Sequence, residues 1–208
     1  MSTGTIARKP ASFDHADAAA IPVAGVTALT MVEAASVSDG DVVVAIGATG
    51  GVGSYLVQLA ANRGARVLAV CSAANAEYAR SLGATDVIDY AAGDLVDAVR
   101  SHAPDGVDVL AEMHRGDDTA RLAKLVRSGG HVVSAVGGAD AEVLNARGIE
   151  AVNVMGMVAT APLETLAGLL ERGEIVSPAV RSSSLADAAE AFEQVGSGHT
   201  RGKIIVLP

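Results

Sequence analysis

A doubly wound α/β fold, a parallel sheet covered by helices on both faces, is the architecture this chain predicts. Three observations carry it. Short apolar, β-branched runs alternate with helical segments along most of the length. The run from Asp41 to Ile46 is apolar on both faces, as a central parallel strand must be. A glycine cluster, Gly47 to Gly53, stands where that strand gives way to an amphipathic helix.

Each element follows from its own pattern. Residues Asp14 to Ala35 read as helix, kinked or split at Pro22 because proline lacks a donor for the interior of a helix. The first strand, Asp41 to Ile46, leads to a helix from about Gly51 to Arg63, with Val52, Tyr55, Leu56 and Leu59 as its buried stripe and Gly64 as its stop. Arg66 to Val70 is the second strand, Asn75 to Leu82 a helix, and Asp86 to Asp89 a short third strand. A helix near Asp94 to His102 precedes the fourth strand, Val107 to Ala111. A further helix, Asp118 to Val126, precedes the fifth, His131 to Val136. Val152 to Met157 reads as the sixth strand and Pro162 to Glu171 as a helix. From Glu174 onward the rhythm changes to an extended piece, a helix at Leu185 to Val195, a glycine turn and the closing KIIVLP run. That run is either a further strand of the sheet or part of a second unit.

Composition narrows the functional classes. At 208 residues the chain holds one sizeable core, with or without a small appendage, and half of it is hydrophobic against 19% charged. A net charge of −9 with scattered basic residues argues against a nucleic-acid partner. The longest uncharged stretch, Ala18 to Val32, is broken by Pro22 and Gly25 and is shorter than the ~20 residues of a membrane span. The single cysteine, Cys71, allows no internal disulfide, and no charged-then-apolar leader opens the sequence. The expectation is a reducing, cytoplasmic location.

The glycine motif is Gly47-Ala48-Thr49-Gly50-Gly51-Val52-Gly53, an AxGxxG variant of GxGxxG in the right strand-turn-helix context. In such a turn Gly50 lets the backbone approach a pyrophosphate, Gly53 permits close helix–strand packing, and the helix N-terminus offers partial positive charge. The turn therefore predicts a dinucleotide site in a Rossmann domain. At the end of the second strand, where an acid would bind both ribose hydroxyls of NAD, stand Cys71 and Ser72; the nearest acid, Glu77, is already inside the next helix. Without a carboxylate to repel a 2′-phosphate, and with Ser72 able to donate to one, the site favours NADP(H) over NAD(H). Cys71 itself reads as a small strand-end residue.

Other chemistries fail on spacing. The only Gly-Lys, Gly202-Lys203, is followed by Ile204, which excludes a P-loop. None of Tyr55, Tyr78 and Tyr90 has a lysine four residues later, which excludes the short-chain dehydrogenases. One cysteine cannot build a cysteine-based zinc site, the histidines lack metal spacing, and no Gly-x-Ser-x-Gly elbow occurs. His131 reads as structural, and His15, His102 and His199 as surface or capping residues. His114-Arg115 reads equally as a crevice lining or a polar loop. No residue earns an acid–base role.

The run GATGGVGSYLVQLAANRGARVLAVCSAANAEYARSLGATDVIDY resembles the cofactor domain of the medium-chain dehydrogenase/reductase superfamily, closest to its zinc-independent quinone oxidoreductase branch. AAAIPVAGVTALTMVEAA, GVDVLAEM, LVRSGGHVVSAVGG and SLADAAEAFEQVGSGHTRGKIIVLP extend the resemblance from about Pro10 onward. It implies a hydride-transferring oxidoreductase acting on a quinone, enone or carbonyl. It places the pyrophosphate turn at Ala48, Thr49, Gly50, Gly51, Val52 and Gly53, and a 2′-phosphate contact at Ser72, with Tyr90 flanking that phosphate. Thr27, Val136, Gly137 and Met157 would lie towards the nicotinamide, and Lys203 close to the cofactor. Asn75 stands where several NADPH-using members carry a basic residue.

The resemblance also implies a homodimer paired through the sixth strand, and no zinc in this chain. The larger departure is at the start. The GroES-like domain that completes the active site in that family is not provided by MSTGTIARKP. The sequence thus reads as an excised piece, a truncated product or one part of a larger enzyme. Its expected division is 1–13 an N-terminal remnant, 14–174 the NAD(P)-binding domain and 175–208 a segment of the catalytic domain. The alternative to an oxidoreductase is a module that binds dinucleotide or dimerises without turnover.

Overall fold

The computed structural model of the chain describes residues 3–116 and 118–208. Met1 and Ser2, the first residues of the expected N-terminal remnant, lie outside the described residues. Near the start, α1 (His15–Ala19) is capped by Asp14, whose carboxylate accepts from the Asp17 N–H. The helix expected over 14–35 is split: α2 (Pro22–Ala34) begins at Pro22, which sits in the first turn, where its missing N–H is no loss.

Six parallel strands come next, β1 (Val42–Ile46), β2 (Arg66–Cys71), β3 (Asp86–Asp89), β4 (Val107–Glu112), β5 (Val126–Ser134) and β6 (Glu150–Asn153), in the spatial order β3-β2-β1-β4-β5-β6. This is the doubly wound Rossmann order, with its switch point between β1 and β4. The crossovers are α3 (Gly51–Asn62), α4 (Ala76–Ser81), α5 (Leu95–His102), α6 (Asp118–Leu122) and α7 (Ala141–Asn145).

Alternate residues of each strand feed two apolar layers. Val43, Ala45, Val67, Ala69, Val109 and Val133 pack against α2, α3 and α8 (Thr160–Glu171). Val44, Ile46, Leu68, Val70, Leu110 and Val132 pack against residues of α5, α6 and α7. Helix α3 is buried more widely than its expected stripe: every residue from Gly53 to Ala60 is buried, because α2 covers the flank away from the sheet.

The fifth and sixth strands differ most from expectation, and the helix expected over 118–126 ends at Leu122. β5 begins at Val126, not His131, with a register irregularity between the Val107 and Val109 pairings. Because Gly130 lies against the Asp108 carbonyl, where a Cβ would come within 2.5 Å, the irregular stretch can stay close to β4. The sixth strand is shifted to Glu150–Asn153, so Met155 and Met157 fall beyond it and are exposed. At its last residue the side chain of Asn153 clasps the Ala139 main chain, accepting from its N–H at 3.1 Å and donating to its carbonyl at 2.8 Å.

The last part forms its own small sheet. β7 (Val180–Ser184) pairs in parallel with β8 (Lys203–Leu207), with α9 (Ala188–Gly196) between them. The closing KIIVLP run therefore belongs to a second unit and not to the main sheet. Gln58 of α3 ties the approach to that unit in place: its carbonyl oxygen accepts from the Val176 N–H at 2.6 Å, and its amide donates to the Val176 carbonyl at 3.0 Å.

Candidate dinucleotide site

Strand β1 delivers the chain into the glycine turn. Gly47 adopts φ +78, a backbone conformation that suits glycine. Gly53 is where the helix meets the turn, and a Cβ there would come 2.2 Å from the Gly47 carbonyl oxygen. Gly50 is the cap residue of α3 and has no side chain to satisfy the first N–H groups of the helix. A twelve-residue helix thus presents an uncapped N-terminus at the carboxyl edge of the sheet, beside the switch point, which is where an anion binds in this architecture.

The C-terminal unit closes over this turn. The Gly202 N–H donates to the Thr49 carbonyl at 2.9 Å, and Gly50 and Gly202 form a bridge. Lys203 is next in the chain, its side chain laid on the first helical residue: a Cβ on Gly51 would lie 2.6 Å from Lys203 Cε and 3.1 Å from Nζ. Burial lowers the pKa of its ammonium. Among the described residues no carboxylate forms an ion pair with Lys203.

These elements enclose a cleft of about 700 Å³ over the carboxyl ends of β1, β2 and β4. Of the expected site residues, Thr49, Gly50, Gly51, Ser72, Asn75, Tyr90 and Lys203 line it. Ala48, Val52 and Gly53 lie behind that wall in the turn and the helix, Ala48 being fully buried. Thr27, Val136, Gly137 and Met157 do not line it. The Thr27 hydroxyl donates to the Val23 carbonyl of its own helix at 2.7 Å, and Gly156 packs on it so closely that a Cβ would reach 2.0 Å. Val136 and Gly137 form the turn after β5, and Met157 is 81% exposed.

Ser72 and Asn75 are joined, the Asn75 amide donating to Ser72 Oγ at 3.3 Å. Cys71 is buried at the end of β2, and its thiol is pushed up first by burial and then by the charge of Asp89. That makes it a poor nucleophile, as a packing residue should be.

The cleft also gathers residues beyond the expected cofactor contacts. His114, Arg115 and Thr119 come from the segment after β4, and Gly198, His199 and Thr200 from the turn before β8. His114 spans the two, lying against Gly47 on one side and Gly198 on the other, where Cβ atoms would come within 3.1 and 2.9 Å. Of the two readings open for His114-Arg115 the crevice lining holds, whereas Thr119, Gly198 and Thr200 come together only through the pairing of glycine turn and second unit in space, and His199, expected at the surface, joins them. Among the described lining residues the cations Lys203 and Arg115 face one acid, Asp118, which already pairs with Arg121 at 2.9 Å. A cation-lined cleft in a chain of net charge −9 fits an anionic ligand. A glycine edge open to close approach fits the pyrophosphate of a dinucleotide. Among the described residues no three His, Cys, Asp or Glu side chains are placed to hold a metal ion, and no helix is long and apolar enough to cross a membrane.

Known proteins share this architecture. The profile of the zinc-binding dehydrogenase family matches residues 82–206. A chloroplast envelope quinone oxidoreductase homolog of Arabidopsis thaliana is 30% identical over 97% of this chain and 64% of its own length. The 2-methylene-furan-3-one reductase of Solanum lycopersicum is 32% identical over 98% of this chain and 50% of its own. The structure of the quinone oxidoreductase from Coxiella burnetii superposes with a TM-score of 0.89 at 28% identity, over 96% of this chain and 63% of that one. The chain thus spans from half to less than two thirds of the length of these relatives.

Proposed function

The chain belongs to the zinc-binding dehydrogenase family of the medium-chain dehydrogenase/reductase superfamily, a family of oxidoreductases, and on that premise we propose that it is the NADP(H)-binding part of an enzyme transferring hydride between NADPH and a quinone, enone or carbonyl acceptor. The observation that carries this reading is Lys203 lying on the uncapped N-terminus of α3 with no carboxylate partner among the described residues. Two positive features held together repel each other until an anion comes between them. The bound dinucleotide would supply the hydride chemistry. The chain's own part is binding and orientation. Gly50 and Gly51 admit the pyrophosphate, Lys203 balances its charge, and Ser72 with Asn75 meets the adenosine end.

The choice of NADP over NAD rests on Ser72, which offers a hydroxyl where an acid would repel a 2′-phosphate. In this reading residues 14–174 are the dinucleotide-binding domain, 175–208 belong to the catalytic domain and 1–13 precede both. The chain uses no zinc and works in the cytoplasm, although the relatives include chloroplast and mitochondrial proteins. Calorimetry with NADPH and NADH tests the reading. NADPH should bind the more tightly and raise the melting temperature by mass action. Saturating NADPH without heat or thermal shift would overturn it.

A second reading, a binding and dimerisation module without turnover, is favoured by the edge of the sheet. β6 pairs on one side with β5, and Met155, Met157 and Val23 are exposed close to its end. NADPH oxidation in the presence of a quinone or an enone separates the two readings, since binding without oxidation supports the module. Sedimentation tests the dimer, which a monomer at high concentration would rule out.

A further inference from the structure

We propose that Glu112 is a positioning residue for the half of the dinucleotide site that lies beyond β4, setting the turn at Val136 to Gly138 through Ser134. The inference rests on the dinucleotide reading above. In a doubly wound sheet the two halves of a dinucleotide lie on either side of the switch point. Ser72, Asn75 and Tyr90 stand at the ends of β2 and β3, on one side. On the other side the segment that leaves β4 lines the cleft with Met113, His114 and Thr119, and the turn that leaves β5 stands behind it, joined to it through Glu112.

Glu112 is the last residue of β4 and is 2% exposed. Its carboxylate receives two hydroxyl donors, Thr119 Oγ1 on Oε1 and Ser134 Oγ on Oε2, the latter at 2.5 Å. Thr119 lines the cleft, while Ser134 ends β5 and is fully buried. Among the described residues no Arg, Lys or His forms an ion pair with Glu112. A carboxyl group buried without a cation is costly unless hydrogen bonds satisfy it, and an apolar side chain would fill the same space. Its polarity must therefore serve an arrangement, and the direction of the hydrogens shows which.

A carboxylate can only accept, so both hydroxyls point their hydrogens at it. Ser134 Oγ, having given its own hydrogen, is left to accept, and it receives the N–H groups of Val136 at 3.1 Å and Gly138 at 2.9 Å. The turn after β5 is held in one conformation by a chain of donors that ends on Glu112. Gly138 fits the same device: a Cβ there would come within 2.0 Å of Glu112 Oε2.

The test uses the whole chain with Glu112→Gln and, separately, Ser134→Ala, reading calorimetric affinity for two probes. NADPH spans both halves of the site, whereas adenosine 2′,5′-bisphosphate occupies the half marked by Ser72. The amide in Glu112→Gln cannot accept at both ends, and Ser134→Ala removes the acceptor of the turn N–H groups. Each should weaken NADPH about tenfold, the worth of one hydrogen bond, and leave the bisphosphate affinity within about twofold of the parent. Unchanged NADPH affinity, or a parallel loss of both probes, overturns the proposal. A parent chain that binds neither probe overturns the dinucleotide reading itself. Should Glu112→Gln fail to fold, Ser134→Ala alone decides.

Discussion

The aliphatic end of Lys203 rests on Gly51, the first residue of α3, so that the ammonium sits where the helix already carries partial positive charge. Its pKa is lowered by burial. Substitution by Met keeps the packing and removes the charge. Lys203→Met should lose at least about tenfold in NADPH affinity while its melting temperature without ligand stays equal to the parent or rises. Calorimetry and thermal melting check the two halves of that statement.

The same lowered pKa gives a pH dependence of known sign. A lysine whose folded pKa lies below its unfolded value binds fewer protons when folded across the interval between the two, so its contribution to stability grows as pH rises through that alkaline window. Dinucleotide affinity should move the opposite way, falling as the ammonium loses its proton. Affinity and stability titrated against pH would show both slopes flattened in Lys203→Met.

Gly53→Ala tests the helix–turn contact. Its methyl carbon would meet the Gly47 carbonyl at 2.2 Å, and the obstacle is backbone, which cannot swing aside. A loss of about 1–3 kcal/mol in denaturant unfolding is expected, with NADPH binding reduced as the turn is displaced.

Asn75→Arg probes cofactor choice. Asn75 lines the cleft beside Ser72, with which it shares a hydrogen bond, and a guanidinium there would face a 2′-phosphate in bidentate fashion. The ratio of NADPH to NADH affinity should rise about tenfold. An unchanged ratio would mean that the ribose lies elsewhere.

Cys71 should behave as an interior residue. Burial and Asp89 both raise its pKa, so the folded chain should react with a thiol reagent at neutral pH at least about tenfold more slowly than the urea-unfolded chain.

Much of this fold was legible because it is local. The strand, glycine turn and helix from Val42 to Asn62 come from a both-faces-apolar run, a glycine cluster and a helical stripe, all within one stretch. The sixth strand was displaced for a physical reason. Val152 to Met157 has the right residue types, yet the last bond to β5 runs from the Val154 N–H to the Ser134 carbonyl, and beyond it Gly156 packs on Thr27 instead. Its true start at Glu150 is hidden by a charge that an edge strand tolerates. In the candidate site the glycine turn, Ser72 and Asn75 could be read from the sequence. Glu112 could not: Thr119 and Ser134 reach it from two other elements, and no spacing announces their meeting.

Gln58 holds the main chain at Val176 from both sides, and through that clasp the small parallel sheet carrying Lys203 is docked on α3. The lysine and the glycine turn are separated by most of the polypeptide, so they meet only when this docking holds. A ligand touching both must slow every opening in which the second unit swings away while the six strands stay paired. Amide hydrogen exchange would register it as slowing between Val176 and Lys203 that extends into β7, a strand that does not line the cleft.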